Sequence, residues 1–257
     1  MNWARSIIIK NQQELEIMRE AGRINALALM RVKELIRPGV TTEELDQAAA
    51  EVIRLHGAKP AFLGVPGPYP YPATTTISIN DELVHGIPSK RVLKEGDIVS
   101  IDCGTIFDGF VGDSAITVGV GEISKEAQQL IEVTMRALLL GIEKMYPGNR
   151  VGDIGATIQE YVEGKGYYLT REYTGHGVGR SMWEGPQVPN YGIPGRGIML
   201  REGMTIALEP MVLVGTAETR VLEDKWTVAS KDGSLTAHFE HTIAITKNGP
   251  EILTIAS

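Results

Sequence analysis

Residues 95–113 read EGDIVSIDCGTIFDGFVGD, and the fold turns on how this stretch is read. The two-residue alternation from Ile98 to Cys103 predicts a strand with Ile98, Ser100 and Asp102 on one face and Val99, Ile101 and Cys103 on the other. Asp108-Gly109 is a strong two-residue hairpin signal. Pairing outward from it sets Phe107 against Phe110, Thr105 against Gly112 and Gly104 against Asp113. Asp113 thereby becomes the diagonal neighbour of Asp102 on the same face, roughly 7–8 Å away at the backbone. Side chains at that separation converge on one point, with Gly104 leaving space between them. Two carboxylates so placed repel unless one is protonated or a cation lies between them. Taken alone, such a hairpin is better read as two solvated aspartates near a turn; the rest of the chain reverses that reading.

The rest of the chain supplies a second copy of the pattern. Apolar residues at helical spacing predict helices over about 11–36 and 124–145. A helix opened by Thr42 runs to about Leu55, and its counterpart follows Pro147-Gly148. Pro38-Gly39 is echoed by Pro147-Gly148, and Gly57 by Gly166 at the same Pro-to-Gly spacing. His85-Gly86-Ile87 is echoed by His176-Gly177-Val178. EGDIVSID, ending in Asp102, matches EGMTIALE, ending in Glu209. We read an internal duplication, roughly 10–120 and 121–250, giving an α/β (α+β) chain of two α-α-β-β halves. Their antiparallel sheets pack about a pseudo-twofold axis, with helices on the outer face. A last strand, Ala237 to Thr246, places His238, Glu240 and Thr242 on one face and Phe239, His241 and Ile243 on the other.

The bulk numbers narrow the function classes. With 257 residues and 43% hydrophobic content the chain can bury a sizeable core. A net charge of -7 argues against a nucleic-acid-binding surface as the main function. Cys103 is the single cysteine, so no intrachain disulfide forms. It reads as a small buried hydrophobe, because no base is placed beside it. No signal peptide and no apolar run long enough to span a bilayer is evident, so the cytoplasm is the default location. The prolines at 66, 68, 70 and 72 stiffen residues 62–76 into an irregular loop carrying Tyr69 and Tyr71, which suits a pocket rim.

Asp102, Asp113, Glu209 and Glu240, with His176 as nitrogen donor, bring too much negative charge for one ion. They suit two divalent cations bridged by carboxylates and water. Such a pair lowers the pKa of a bridging water and polarises a carbonyl, which is the chemistry of hydrolysis. No G-x-S-x-G and no P-loop offers another route. His238 and His241 have metal-like spacing, but on one strand they face opposite ways, so at most one reaches the site and His241 is read as structural. Gly175-His-Gly-Val-Gly179 is read as a turn that aims His176.

The contexts VHGIP, IDCG, DGFVGDSA, TGHGVGR, GMTIALEPM and HFEHT resemble the type I methionine aminopeptidases, which share the duplicated pita-bread metallopeptidase fold. The resemblance spans essentially the whole chain from about residue 10 as a single catalytic domain, 1–257. It implies removal of the initiator methionine from nascent polypeptides with a small second residue, by a hydroxide bridging two ions of cobalt, manganese, iron or zinc. It places Asp102, Asp113, His176, Glu209 and Glu240 on the metal ligands, with Asp113 and Glu240 bridging and Glu209 handling the water's proton. His85 falls on a substrate-facing histidine that hydrogen-bonds the scissile amide. A sodium or potassium site formed by carbonyls near Asn80, Glu82 and Thr236 is also implied, as are a monomer, a transient ribosome contact and no membrane partner.

Three departures stand out. Trp183 occupies the position of the family's second substrate-facing histidine, and an indole donates one hydrogen bond but accepts none. The proline-rich loop is about three residues longer than usual, and Thr76 stands where bacterial members often carry cysteine. Met182 replaces an aromatic. With Tyr71 and Trp226, these positions are expected to line a pocket for the substrate's methionine side chain. Two alternatives remain open at this point: a proline-specific aminopeptidase or dipeptidase of the same fold, and a non-catalytic, ribosome-associated binding protein.

Overall fold

In the computed structural model, which describes residues 7–256, a pair of helices followed by antiparallel strands occurs twice along the chain. Helix α1 (Gln12–Leu35) starts at Asn11, whose side chain accepts from Glu14 N while the Glu14 carboxylate accepts from Asn11 N. Helix α2 (Thr42–Leu55) repeats this reciprocal cap with Thr41 and Glu44. The cap is therefore Thr41, one residue before the threonine that the sequence suggested. Both boxes satisfy N–H groups that have no partner inside the helix. Helix α3 (Lys125–Ile142) is capped by Ser124, and α4 (Val151–Gly164) follows Arg150. The repeated glycines share their backbone geometry: φ is 93° at Gly39 and 95° at Gly148, and 87° at Gly96 and 83° at Gly203. Side chains rarely adopt these angles, so glycine is required at each.

The opening stretch forms the predicted hairpin, with strands Ile98–Phe107 and Phe110–Gly119. Its register sets Phe107 against Phe110, Thr105 against Gly112 and Gly104 against Asp113. Gly104 serves a purpose other than spacing the carboxylates. A Cβ there would lie 2.8 Å from Met182 Cε and 2.9 Å from Ala61 Cβ, so the glycine admits the cavity wall. Strand Thr75–Ile79 pairs on the other side and sets Thr76 opposite Asp102. Behind the hairpin, Ile24, Val32, Leu45, Ile53, Val99 and Ile101 form one apolar core; Leu130, Leu138, Ile154, Ile158, Ile206 and Ile243 form its counterpart under α3 and α4. Burying each such side chain contributes about 1.5–3 kcal/mol, enough to hold each helix pair on its sheet.

Two expectations are corrected. The chain from Ala237 to Thr246 is not one strand: Thr236–His238 pairs with Met211–Leu213, whereas His241–Thr246 pairs with Thr205–Leu208 in a different sheet. Between them, Glu240 leaves both ladders and bridges to Ala115, with N–O distances of 3.0 and 3.3 Å. The second correction concerns Gly175–Gly177, a strand inside a five-stranded sheet rather than a turn. Glycine is needed because a Cβ at Gly177 would collide with the Gly185 carbonyl, and one at Gly175 would lie 2.6 Å from the Ala207 carbonyl. A strand built of glycines leaves no alternation to read in the sequence.

Asn25, fully buried in α1, ties the helix to the hairpin. Its Nδ2 donates to the carbonyls of Cys103 and Gly112, and its Oδ1 accepts from the Ser114 hydroxyl. Asn25→Ala strands two buried carbonyls and a hydroxyl, and should lower the unfolding free energy by about 2–4 kcal/mol at unchanged m-value. A loss below about 0.5 kcal/mol in urea denaturation would show that the network does not carry this load.

Candidate metal centre

Five titratable side chains from four segments line one cavity. Asp102 and Asp113 come from the two hairpin strands, and His176 from the glycine strand. Glu209 follows the end of Thr205–Leu208, and Glu240 sits at the break between the last two ladders. Asp113, His176 and Glu240 each offer a ligand atom within 4.8 Å of the others, and all three are buried. His176 Nε2 stands 3.8 Å from Asp113 Oδ2 and 3.5 Å from Glu209 Oε1. The other imidazole nitrogen, Nδ1, lies 2.9 Å from the Gly177 carbonyl, which accepts only from an N–H. The proton is thus held on Nδ1, and the Nε2 lone pair faces the carboxylates, as a metal-ligating histidine requires.

The electrostatics of the cluster are those of a cage built for cations. Burial raises Asp113 to about 7 and pushes Asp102, Glu209 and Glu240 well above the usual carboxylate range, helped by their mutual repulsion. Burial lowers His176 to about 4, so the ring is neutral. Asp102 Oδ1, Asp113 Oδ1 and Glu240 Oε1 are buried without a hydrogen-bond partner. Native proteins rarely leave such atoms orphaned, and a divalent cation satisfies several at once. A set of carboxylate oxygens and one imidazole nitrogen fits hard or borderline divalent ions.

Beside the cage lies a cavity of about 110 Å³, several times the 10–15 Å³ or so that one water needs. Its wall contains all eleven residues named from the sequence: the five above with His85, Tyr71, Thr76, Met182, Trp183 and Trp226. Two more, Phe62 and Val65, were missed; both lie on the irregular loop, where no periodicity marks an inward side chain. Tyr71 and Trp226 meet edge to face at 5.1 Å, and the Tyr71 hydroxyl donates to the carbonyls of Thr75 and Gly86. His85 takes a left-handed backbone, φ 62°, and burial lowers it to about 4. Trp183 is 49% exposed at the mouth, its ring centroid 6.5 Å from that of His176. Next to it, buried Glu184 accepts from Lys10 Nζ and from Ser181 N, bracing the turn that carries Met182 and Trp183. The sequence gives no sign of that pair, whose partners lie 174 residues apart. His241 bonds Thr254 Oγ1 outside the cage, as expected, whereas His238 Nε2 stands 3.5 Å from Glu209 Oε2.

The comparisons with known proteins agree with this geometry. The family model of metallopeptidase family M24 matches residues 16–247. The methionine aminopeptidase of Clostridium perfringens is 51% identical over 249 residues, 97% of this chain and 99% of the relative. Methionine aminopeptidase 1 of Bacillus subtilis is 50% identical over 96% of this chain and 99% of the relative. The chain belongs to the methionine aminopeptidases of metallopeptidase family M24. The crystal structure of the methionine aminopeptidase from Thermotoga maritima superposes with a TM-score of 0.94 at 48% identity, over 97% of this chain and 99% of that one. The prolidase from Pyrococcus furiosus shares the fold with a TM-score of 0.80 at 26% identity, but this chain covers only 67% of it. The family's pita-bread fold, α/β with antiparallel sheets, is therefore that of this chain. Among the described residues no helix is long and apolar enough to cross a membrane.

Because the carboxyls hold protons near neutral pH and His176 does not, divalent-metal uptake at pH 7 should release protons, and apparent affinity should rise with pH. Calorimetric titration in buffers of different ionisation enthalpy measures this; a binding heat independent of buffer would contradict the protonated cage.

Proposed function

We propose that this chain removes the initiator methionine from nascent polypeptides with a small second residue, as a metal-dependent aminopeptidase. The observation that carries the reading is a set of buried, unpartnered carboxylate oxygens opening onto a cavity walled by Tyr71, Phe62, Met182 and Trp226. Thioether and aromatic surfaces suit a linear thioether side chain better than a branched one.

In this reading Asp102, Asp113, His176, Glu209 and Glu240 would hold two divalent ions, cobalt, manganese, iron or zinc. When bound, the ions activate water and polarise the scissile carbonyl. The chain's own groups do the rest. Glu209, whose Oε1 faces the cage, takes up and returns the proton. His85, neutral and lining the cavity, hydrogen-bonds the scissile amide. Trp183 at the mouth supplies an N–H to the substrate backbone but cannot accept a proton. Thr76, opposite Asp102, closes the floor.

The same reading holds 1–257 to be one catalytic domain, duplicated over roughly 10–120 and 121–250, that acts as a cytoplasmic monomer with transient ribosome contact. A sodium or potassium ion near the carbonyls of Asn80, Glu82 and Thr236 is part of it. What supports it is proximity alone: the Thr236 hydroxyl donates to Asn80 O at 3.1 Å and Glu82 O at 2.9 Å, which brings the three residues together.

The purified chain should release methionine from Met-Ala-Ser in a reaction abolished by chelator and restored by added divalent metal, and leave Xaa-Pro dipeptides intact. Xaa-Pro cleavage without methionine release would overturn the proposal. Glu209→Gln should lower kcat by roughly 10²–10⁴-fold, as loss of general base catalysis requires. Trp183→His restores a group able to accept a proton, and should change turnover or the preference at the second substrate residue. Unchanged kinetics would remove Trp183 from the substrate wall.

A further inference from the structure

Behind Glu209 sits an imidazole that the metal cage does not use. His238 is 1% exposed, does not line the cavity, and its Nε2 is buried without a hydrogen-bond partner. An orphaned buried nitrogen costs about 1–3 kcal/mol, so its orientation needs a reason. Its backbone is fixed twice over: His238 N donates to Thr117 Oγ1 at 2.9 Å, and Thr117 Oγ1 donates to the His238 carbonyl at 2.7 Å. The ring is thereby aimed at Glu209, with Nε2 3.5 Å from Oε2. The opposite oxygen, Oε1, lies 3.5 Å from His176 Nε2 on the cage side. The two oxygens of one carboxylate are thus addressed by two different imidazoles.

We propose that His238 is a positioning residue for Glu209: its ring carries a proton on Nε2 and donates it to Oε2, so that Oε1 is held toward the cage. This rests on the reading of Glu209 as ligand and proton carrier. A small closure of the 3.5 Å gap completes the bond, and a hydrogen bond to Oε2 orients the carboxylate. His238 does not touch substrate, so it should act on kcat and metal affinity rather than on KM.

The direct test needs no disruptive variant. Long-range ¹H–¹⁵N correlation spectra of the ¹⁵N-histidine-labelled, zinc-loaded protein report the tautomer of each ring, with His238→Gln identifying the resonance. An Nε2–H tautomer at His238 is expected; an Nδ1–H tautomer leaves nothing to donate and overturns the proposal. Calorimetric metal titration then compares two substitutions. His238→Leu should weaken one of the two ion-binding steps about 10–100-fold and lower kcat with KM little changed, the usual cost of losing an outer hydrogen-bond partner of a ligand. His238→Gln, which keeps an N–H near the Nε2 position, should stay within about threefold on both counts. Equal losses in both variants would assign His238 to packing alone, and unchanged metal affinity in folded His238→Leu would equally defeat the proposal. A wild-type protein that binds metal but releases no methionine would sink the aminopeptidase reading while leaving tautomer and affinity to judge His238.

Discussion

The site depends on a seam between the two halves. Strand Phe110–Gly119 is laced to the chain at 238–242 by three kinds of contact. The Thr242 hydroxyl donates to the Asp113 carbonyl and accepts from its N–H, Glu240 and Ala115 exchange backbone bonds, and Thr117 brackets His238. Each half brings carboxylates, but neither encloses a cation alone. The seam sets Asp113 and Glu240 side by side and leaves Glu240 outside either ladder, free to turn its carboxylate inward.

The seam imposes an electrostatic burden. Four carboxyls packed in a buried pocket favour their protonated forms, and their unpartnered oxygens favour any divalent ion that enters. The apolar cores under the two helix pairs supply the stability against which this strain is held, and the capping boxes and Asn25 fix the helices to the hairpin. Folding and function therefore pull in opposite directions within a few ångströms of each other, and the two helix-backed sheets keep the cage shape while its charges repel.

Much of this arrangement was legible in the sequence, for definite reasons. The hairpin register followed from Asp108-Gly109, because a two-residue turn leaves no freedom in pairing. The paired glycines stood out because the turns after the helices require positive φ, 70° at Gly57 and 84° at Gly166, which marks such positions even where side chains differ. What escaped reading lacked a local signal. Gly175–Gly177 carries no alternation, the break at Glu240 depends on a partner strand more than a hundred residues away, and Phe62 and Val65 stand on a loop without period. Asn25 and Lys10 look like surface residues until the tertiary structure buries them. His238 was set aside with His241 as one of a pair facing opposite ways, and it is the member that reaches Glu209.

The Lys10–Glu184 contact gives the start of the chain a part in the site. Both groups are almost wholly excluded from water, and the lysine also donates to the Ile8 carbonyl, so residues 8–10 are fastened to the turn that presents Met182 and Trp183. The side of the mouth where an incoming peptide would pass is therefore not a free loop but one end of a tether running back to the first described residues. Sequence drift near the amino end, outside the metal cage, is felt as a change in the shape of the entrance.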